Sequence, residues 1–259
     1  MDLDNILKLM LEATSCASKK IMEIYKSNFH INFKEDNSPV TSADIESNKI
    51  ITSYLSNTNI KVLSEEITDD YSRLNEEKIF ILDPLDGTQD FVNKDDTFGI
   101  NLAYVINGEP IIGVIGLPVE NSIIYAIKNK GSYRLYDNKT TKLHVSNRTD
   151  NLVYLASKTH NIPKEIEVYK NNPHISKVIS SGACTKAYLL SSGVGDISIR
   201  LTDMTKEWDV VSCDIIVRES GGYFATTKNK QFTYNKKDVI NHDGYIMAND
   251  KENLKYFKY

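Results

Sequence analysis

Apolar residues recur at Leu3, Ile6, Leu7, Met10, Ala13, Ala17, Ile21 and Ile24, the three-and-four spacing of one helix face. The first 26 residues therefore predict an amphipathic helix. A polar, asparagine-rich segment follows. A second helix is expected to start near Ser42 and to carry Ile45, Ile51, Tyr54 and Leu55. Lys61-Val62-Leu63 and Ile79-Phe80-Ile81-Leu82 read as short buried strands. From Thr97 the period drops to two: Phe98, Ile100, Leu102, Tyr104 and Ile106 alternate with polar or small residues. Asn107-Gly108 separates this run from Ile111 to Ile115, and such a pair between two strand-like runs is a strong hairpin signal. A second hairpin is predicted from Ser122–Ile127 to Tyr133–Tyr136 around Asn129-Lys130-Gly131. The first part of the chain thus reads as helices on a largely antiparallel sheet.

The stretch from Asp137 to Asn151 is polar and turn-rich, and is read as the joint between two halves, residues 1–140 and 141–259. Beyond it the pattern becomes a strand over Leu152–Ala156, a helix over Thr185–Ser191, a strand over Asp196–Leu201 and a helix over Asp209–Glu219. Gly221-Gly222 closes the last helix as a C-terminal cap. Short strands and a helical turn after Lys251 complete the tail. Two α/β layers sharing a cleft are expected.

Composition narrows the class. With 259 residues the chain can bury about three quarters of its unfolded surface, so it needs no disulfides or metals merely to fold. A 41% hydrophobic and 25% charged content excludes disordered and fibrous chains. A net charge of -4 argues against a protein that coats duplex nucleic acid. Cys16, Cys184 and Cys213 are scattered and form no CxxC pair, which disfavours a disulfide framework and a cysteine zinc site and suits a reducing compartment. The longest apolar run, Ile111 to Val119, is interrupted by Gly113, Gly116 and Pro118 and is too short to span a bilayer. The chain starts Met-Asp-Leu-Asp, without the basic region of a signal peptide. A soluble cytoplasmic protein is expected.

The chemistry concentrates in Ile81-Leu82-Asp83-Pro84-Leu85-Asp86-Gly87-Thr88. A buried strand runs into a sharp turn with two carboxylates three residues apart, then Gly, Thr and a helix start. Amide groups at a helix start form an anion site, yet carboxylates beside it would repel a phosphate. A hard divalent cation such as Mg2+, taking oxygens from both, resolves the conflict. An N-capping aspartate explains one carboxylate but not two followed by Gly-Thr. Ser64-Glu65-Glu66 places another carboxylate at a strand end, and Glu207-Trp208-Asp209 places one at a helix N-terminus. Taken singly, these have ordinary explanations, a solvated Glu pair and a helix-dipole partner. Thr41-Ser42-Ala43-Asp44 likewise fits a helix capping box.

Together, the Asp83–Thr88 motif, Trp208-Asp209 with Glu219-Ser220-Gly221-Gly222, Ser64-Glu65-Glu66 and Pro39-Val40-Thr41-Ser42-Ala43-Asp44 resemble the inositol monophosphatase-like superfamily, in order and spacing over nearly the whole chain. The resemblance implies metal-dependent, lithium-sensitive phosphomonoesterases and an αβαβα sandwich, an α/β (α+β) fold with metals between its halves. It implies metal ligands at Glu65, Asp83, the Leu85 carbonyl, Asp86 and Asp209, with Asp44 and Thr88 orienting and deprotonating the attacking water. Two or three Mg2+ ions are implied, with Mn2+ as a substitute, and a monomer or homodimer.

Three features resemble the 3'(2'),5'-bisphosphate nucleotidase branch: Ser157-Lys158-Thr159-His160, Gly182 followed by Lys186, and the run from Phe98 through Val114 to Pro118. A bisphosphate carries a second dianion out of reach of metals at the first. Lys186 and the Ser157/His160 loop could hold it and the ribose, with Gly87, Thr88, Gly182 and Asp209 completing the substrate contacts. The expected reaction is hydrolysis of adenosine 3',5'-bisphosphate to AMP. Inositol-1-monophosphatase activity is the alternative, and a silent phosphate-ligand binder a further one. Gln89 departs from the Lys that many nucleotidases carry after Gly-Thr.

Overall fold

The structure, a computed structural model, describes residues 1–27, 29, 31–33, 39–160 and 162–259. Part of the asparagine-rich segment expected after the first helix lies outside them. Helix α1 (Leu3–Tyr25) starts at Asp2, whose side chain accepts from the Asn5 N–H at 2.8 Å. A small antiparallel pair, β1 (Ile31–Phe33) and β2 (Pro39–Thr41), leads into α2 (Ser42–Leu55).

The first large sheet is laid down in chain order: β3 (Lys61–Ser64), β4 (Lys78–Asp86), then, after the short helix α3 (Thr88–Val92), β5 (Gly99–Ile106), β6 (Glu109–Leu117), β7 (Ser122–Ile127), β8 (Gly131–Tyr136) and β9 (Lys139–Lys142). Only β3 and β4 pair in parallel within it. Both expected hairpins form, the first with Asn107 (φ 50) and Gly108 (φ 76) in the left-handed conformations that a two-residue loop demands. The second half contributes β10 (Leu152–Ser157), α4 (Pro163–Lys170), β11 (Ile175–Ser181), α5 (Ala183–Ser191), β12 (Ile197–Arg200), α6 (Glu207–Glu219), β13 (Tyr223–Ala225) and β14 (Tyr245–Ala248). Its five strands lie in the order β11-β10-β12-β14-β13.

Period two turns out to separate two cores rather than core from solvent. Phe80, Leu82, Ile100, Leu102 and Val114 point to α1 and α2, packing on Ile6, Met10, Ala17 and Ile51. Their neighbours Ile79, Ile81, Ala103, Val105 and Ile115 point the other way, to Val210, Val211, Ile216 and Val217 of α6 and Leu190 of α5. That same core takes Leu155, Tyr245 and Met247 from the second sheet, whose far face holds Tyr154, Ile199 and Ile246 against Val168 of α4. The layers are α1/α2, sheet, α5/α6, sheet, α4: an αβαβα sandwich, as the family resemblance implied. The small or polar positions of β5, including Asn101 and Ala103, are buried because helices cover both faces.

Three expectations need correction. The strand does not stop at Leu82: β4 runs to Asp86, with its register shifting between Asp83↔Asn101 and Asp86↔Gly99. One extra residue sits on β4 there, a bulge in which Pro84 needs no N–H for the ladder. The sharp turn comes afterwards, at Gly87 (φ +85), so this glycine serves a left-handed backbone. The polar joint contains strand β9, entered through Asp137 and Asn138, both with positive φ. Finally, α4 and β11 lie between the expected strand and helix, hidden because β11 is a largely exposed edge strand with little apolar pattern.

Candidate active site

One pocket of about 450 Å3 collects most of the residues singled out above, among them Glu65, Asp83, Leu85, Asp86, Thr88 and Asp209. Glu65 follows β3, Asp83 and Asp86 sit on β4, and Asp209 lies in the first turn of α6. Glu65, Asp83 and Asp209 each offer a carboxylate oxygen within 4.8 Å of the others. Asp83 is held well above the ordinary carboxylate range by burial and by the facing charges of Glu65, Asp86 and Asp209. Asp209 is raised for the same reasons, burial first and then Glu65 and Asp86. A hard divalent cation fits this donor set: oxygens only, already converged, and mutually repelling without it. The nearby thiols of Cys184 and Cys213 are pushed well up by burial, so they stay protonated and are poor competitors as ligands.

The helix-cap reading and the site reading describe the same atoms. Asp44, the third residue of α2, accepts at Oδ2 from the Thr41 N–H and the Thr41 hydroxyl, both at 2.7 Å. Its Oδ1 accepts from the Thr88 hydroxyl at 2.9 Å. Burial raises the Asp44 pKa, and the bonds from Thr41 and Thr88 oppose that rise. Asp209 repeats the pattern at the start of α6, where Oδ2 accepts from the Lys206 N–H at 2.7 Å. In each case the helix start fixes a carboxylate by one oxygen.

Asp86 is not among the three converged carboxylates: its Oδ2 accepts from the Cys184 N–H at the start of α5, at 2.8 Å. The Leu85 carbonyl lies 3.1 Å from the Thr88 hydroxyl, and the Leu85 N–H donates to Asp83 Oδ1 at 3.0 Å.

Ser157, His160, Gly182 and Lys186 line the same pocket. Lys186 is no solvated helix residue. It is 3% exposed, and burial together with the Arg200 charge lowers its pKa to about 8, against the pull of Glu165 and Asp86. His160 is lowered by burial and by Arg200, which favours the neutral ring. The backbone N–H of His160 donates to Ser157 Oγ at 3.2 Å. Gly182 has a packing reason: a Cβ there would lie 2.0 Å from the Thr97 carbonyl oxygen. Gln89 reaches the pocket, but its amide donates to Asn93 Oδ1 at 3.0 Å.

Arg200 and Asp90 are among the pocket residues that escaped the sequence reading. Arg200 ends β12 and donates from Nη1 to Glu165 Oε2 at 3.0 Å and to the His160 carbonyl. A charged residue closing the apolar run Ile197-Ser198-Ile199 was the available signal, since ligand sites gather at strand ends. Asp90, 4% exposed in α3, had no such signal and reads in sequence as a helix surface acid.

The inositol monophosphatase family model matches residues 2–256. The chain is 29% identical over 253 residues to the 3'(2'),5'-bisphosphate nucleotidase CysQ of Aggregatibacter actinomycetemcomitans, covering 94% of this chain and 93% of that protein. It is 30% identical over 255 residues to the CysQ nucleotidase of Buchnera aphidicola subsp. Acyrthosiphon pisum, covering 95% and 93%. The crystal structure of CysQ from Bacteroides thetaiotaomicron superposes with a TM-score of 0.83 at 29% identity, covering 95% of this chain and 97% of that one. With a family match over residues 2–256, a matching fold and relatives along nearly its full length, the chain belongs to the inositol monophosphatase family.

Proposed function

We propose that the protein is a 3'(2'),5'-bisphosphate nucleotidase that hydrolyses adenosine 3',5'-bisphosphate to AMP and inorganic phosphate, using two or three Mg2+ ions for which Mn2+ can substitute. The family is metal-dependent, and the acidic cluster could bind metal. The carrying observation is that one pocket has an acidic centre on one wall and two buried cations, Lys186 and Arg200, on another. An ester with two phosphates fits such a pocket; the CysQ relatives support the same substrate class.

In this reading Glu65, Asp83, Asp86, Asp209 and the Leu85 carbonyl hold the ions. When bound, the ions neutralise phosphate oxygens, lower the pKa of water and stabilise the leaving alkoxide. The Thr88 hydroxyl reaches Asp44 Oδ1 at 2.9 Å and the Leu85 carbonyl at 3.1 Å; with its proton given to Asp44, the Thr88 oxygen is an acceptor that orients the attacking water. Asp44, fixed by Thr41, draws the proton through Thr88. Lys186 and Arg200 hold the second phosphate, while Ser157 and His160 meet the ribose, with Gly87 and Gly182 keeping the walls close. Residues 1–140 supply Glu65, Asp83 and Asp86, and residues 141–259 supply Asp209 together with the cationic wall.

A phosphate-release panel with Mg2+ tests the assignment. Adenosine 3',5'-bisphosphate is expected to be cleaved with far higher kcat/KM than inositol 1-phosphate or fructose 1,6-bisphosphate. Gln89, without the positive charge of the nucleotidase pattern, favours the second reading, an inositol-1-monophosphatase. That reading takes over if inositol 1-phosphate is turned over as well or better. No release from any of these esters would leave a silent binder.

A further inference from the structure

Asp90 is a buried pocket carboxylate that the proposed chemistry does not use. Its side-chain bonds are to hydroxyls: Oδ1 accepts from Thr159, and Oδ2 accepts from Thr97 at 3.2 Å. These three residues belong to different segments: α3 just past the Asp83–Thr88 turn, the loop after β10, and the entry to β5. Nearby contacts run the same way. The Asp95 N–H donates to the Asp90 carbonyl at 2.9 Å, and Asp95 pairs with Lys158 at 2.9 Å. The loop carrying Ser157 and His160 is therefore gripped by the segment that continues the acidic turn. Its other end is held by Arg200 on the His160 carbonyl.

A buried carboxylate whose partners are hydroxyls is costly, and an aliphatic residue of that size would pack more cheaply. What the carboxylate supplies is two acceptor oxygens in a fixed fork, one for each segment, with charge-assisted strength. An amide has one acceptor oxygen and cannot serve both donors alike.

We propose that Asp90 is a positioning residue: through Thr159 and Thr97 it fixes loop 157–160 against the acidic turn and so sets the span between the two anion-binding ends of the pocket. This rests on the reading of the pocket as a bisphosphate site. Loss of the latch weakens binding of a ligand that must reach both ends, and leaves the Thr88–Asp44 chemistry in place.

The test reads two quantities in parallel, steady-state kinetics with adenosine 3',5'-bisphosphate and Mg2+, and amide hydrogen exchange over residues 157–160 in ligand-free protein. Thr159→Val is expected to raise KM about tenfold or more while kcat stays within about threefold, the size expected for one charge-assisted bond lost from binding. Exchange in the loop should accelerate in the same variant. Thr159→Ser keeps the hydroxyl and should restore both. With Asp90→Asn added to Thr159→Val, the rise in KM should be smaller than the product of the single effects, because the two groups share one bond. Unchanged exchange in Thr159→Val, failure of Ser to rescue, or a loss carried by kcat instead of KM would overturn the latch. A wild type that ignores the bisphosphate and cleaves a sugar monophosphate defeats the substrate reading alone; the exchange measurement then decides the latch.

Discussion

The two walls of the pocket solve the problem of buried charge in opposite ways. At the acidic wall, Glu65, Asp83 and Asp209 converge within 4.8 Å, and burial with mutual repulsion drives Asp83 and Asp209 well up. At the cationic wall, Arg200 is matched internally by Glu165 at 3.0 Å, and Glu165 is itself held by the Leu201 N–H at 2.8 Å. Lys186 beside them is eased to about 8. One wall is unbalanced and demands charge from outside; the other is close to balanced and has its donors already oriented. Affinity at the first should depend steeply on a cation, whereas the second should tune which ester binds.

The sharpest way to break this contrast is Asp83→Asn. Turnover should fall by orders of magnitude, yet the Tm of the metal-free protein should hold or rise, because one repelling carboxylate is gone. The Tm increase on adding Mg2+ should shrink at the same time. A metal-free Tm several degrees below wild type would contradict the self-repelling acidic wall. Next in size is Thr88→Ala, whose kcat should drop about 10²–10⁴-fold with loss of general-base assistance. Its KM and its Mg2+-induced Tm shift should match wild type, and a weakened metal response would move Thr88 into the ligand set.

The cationic wall should yield smaller effects. Lys186→Ala should lower kcat/KM for the bisphosphate about ten- to hundredfold, the loss of one charge-assisted contact. Hydrolysis of inositol 1-phosphate should hardly change, and an equal loss on both esters would mean that Lys186 serves the acidic wall. The mildest test is pH. Lys186 carries its charge below about 8 and loses it as pH rises through that value, so KM for the bisphosphate should climb on the alkaline side. Arg200, Glu165 and Asp86 surround it, and Lys186→Arg, which stays charged, should flatten that limb.

The contrast also explains what could be read in advance. The acidic wall is written in short motifs, because Asp83 and Asp86 share one strand end and Asp44 and Asp209 each open a helix. The cationic wall is tertiary. Arg200 meets Glu165 and the His160 carbonyl only after β12, α4 and the loop after β10 come together. Helices α1, α2 and α6 were legible from their apolar stripes, whereas α4 and the edge strand β11 bury too little to print a period. The bulge that carries β4 through Pro84 needed the partner strand β5 to be seen at all.

Helix α6 carries a consequence for how the chain matures. Glu65 and Asp83 are synthesised with the first sheet, but Asp209 arrives late, on a helix whose side chains pack between both sheets. The acidic centre is therefore incomplete until the second half has folded and α6 has docked. A nascent or truncated chain would carry only part of the ligand set, and tight cation capture would wait for the finished sandwich. A cation held there would act as a final inspection of the fold, since its binding energy would be added only to molecules whose layers have closed correctly.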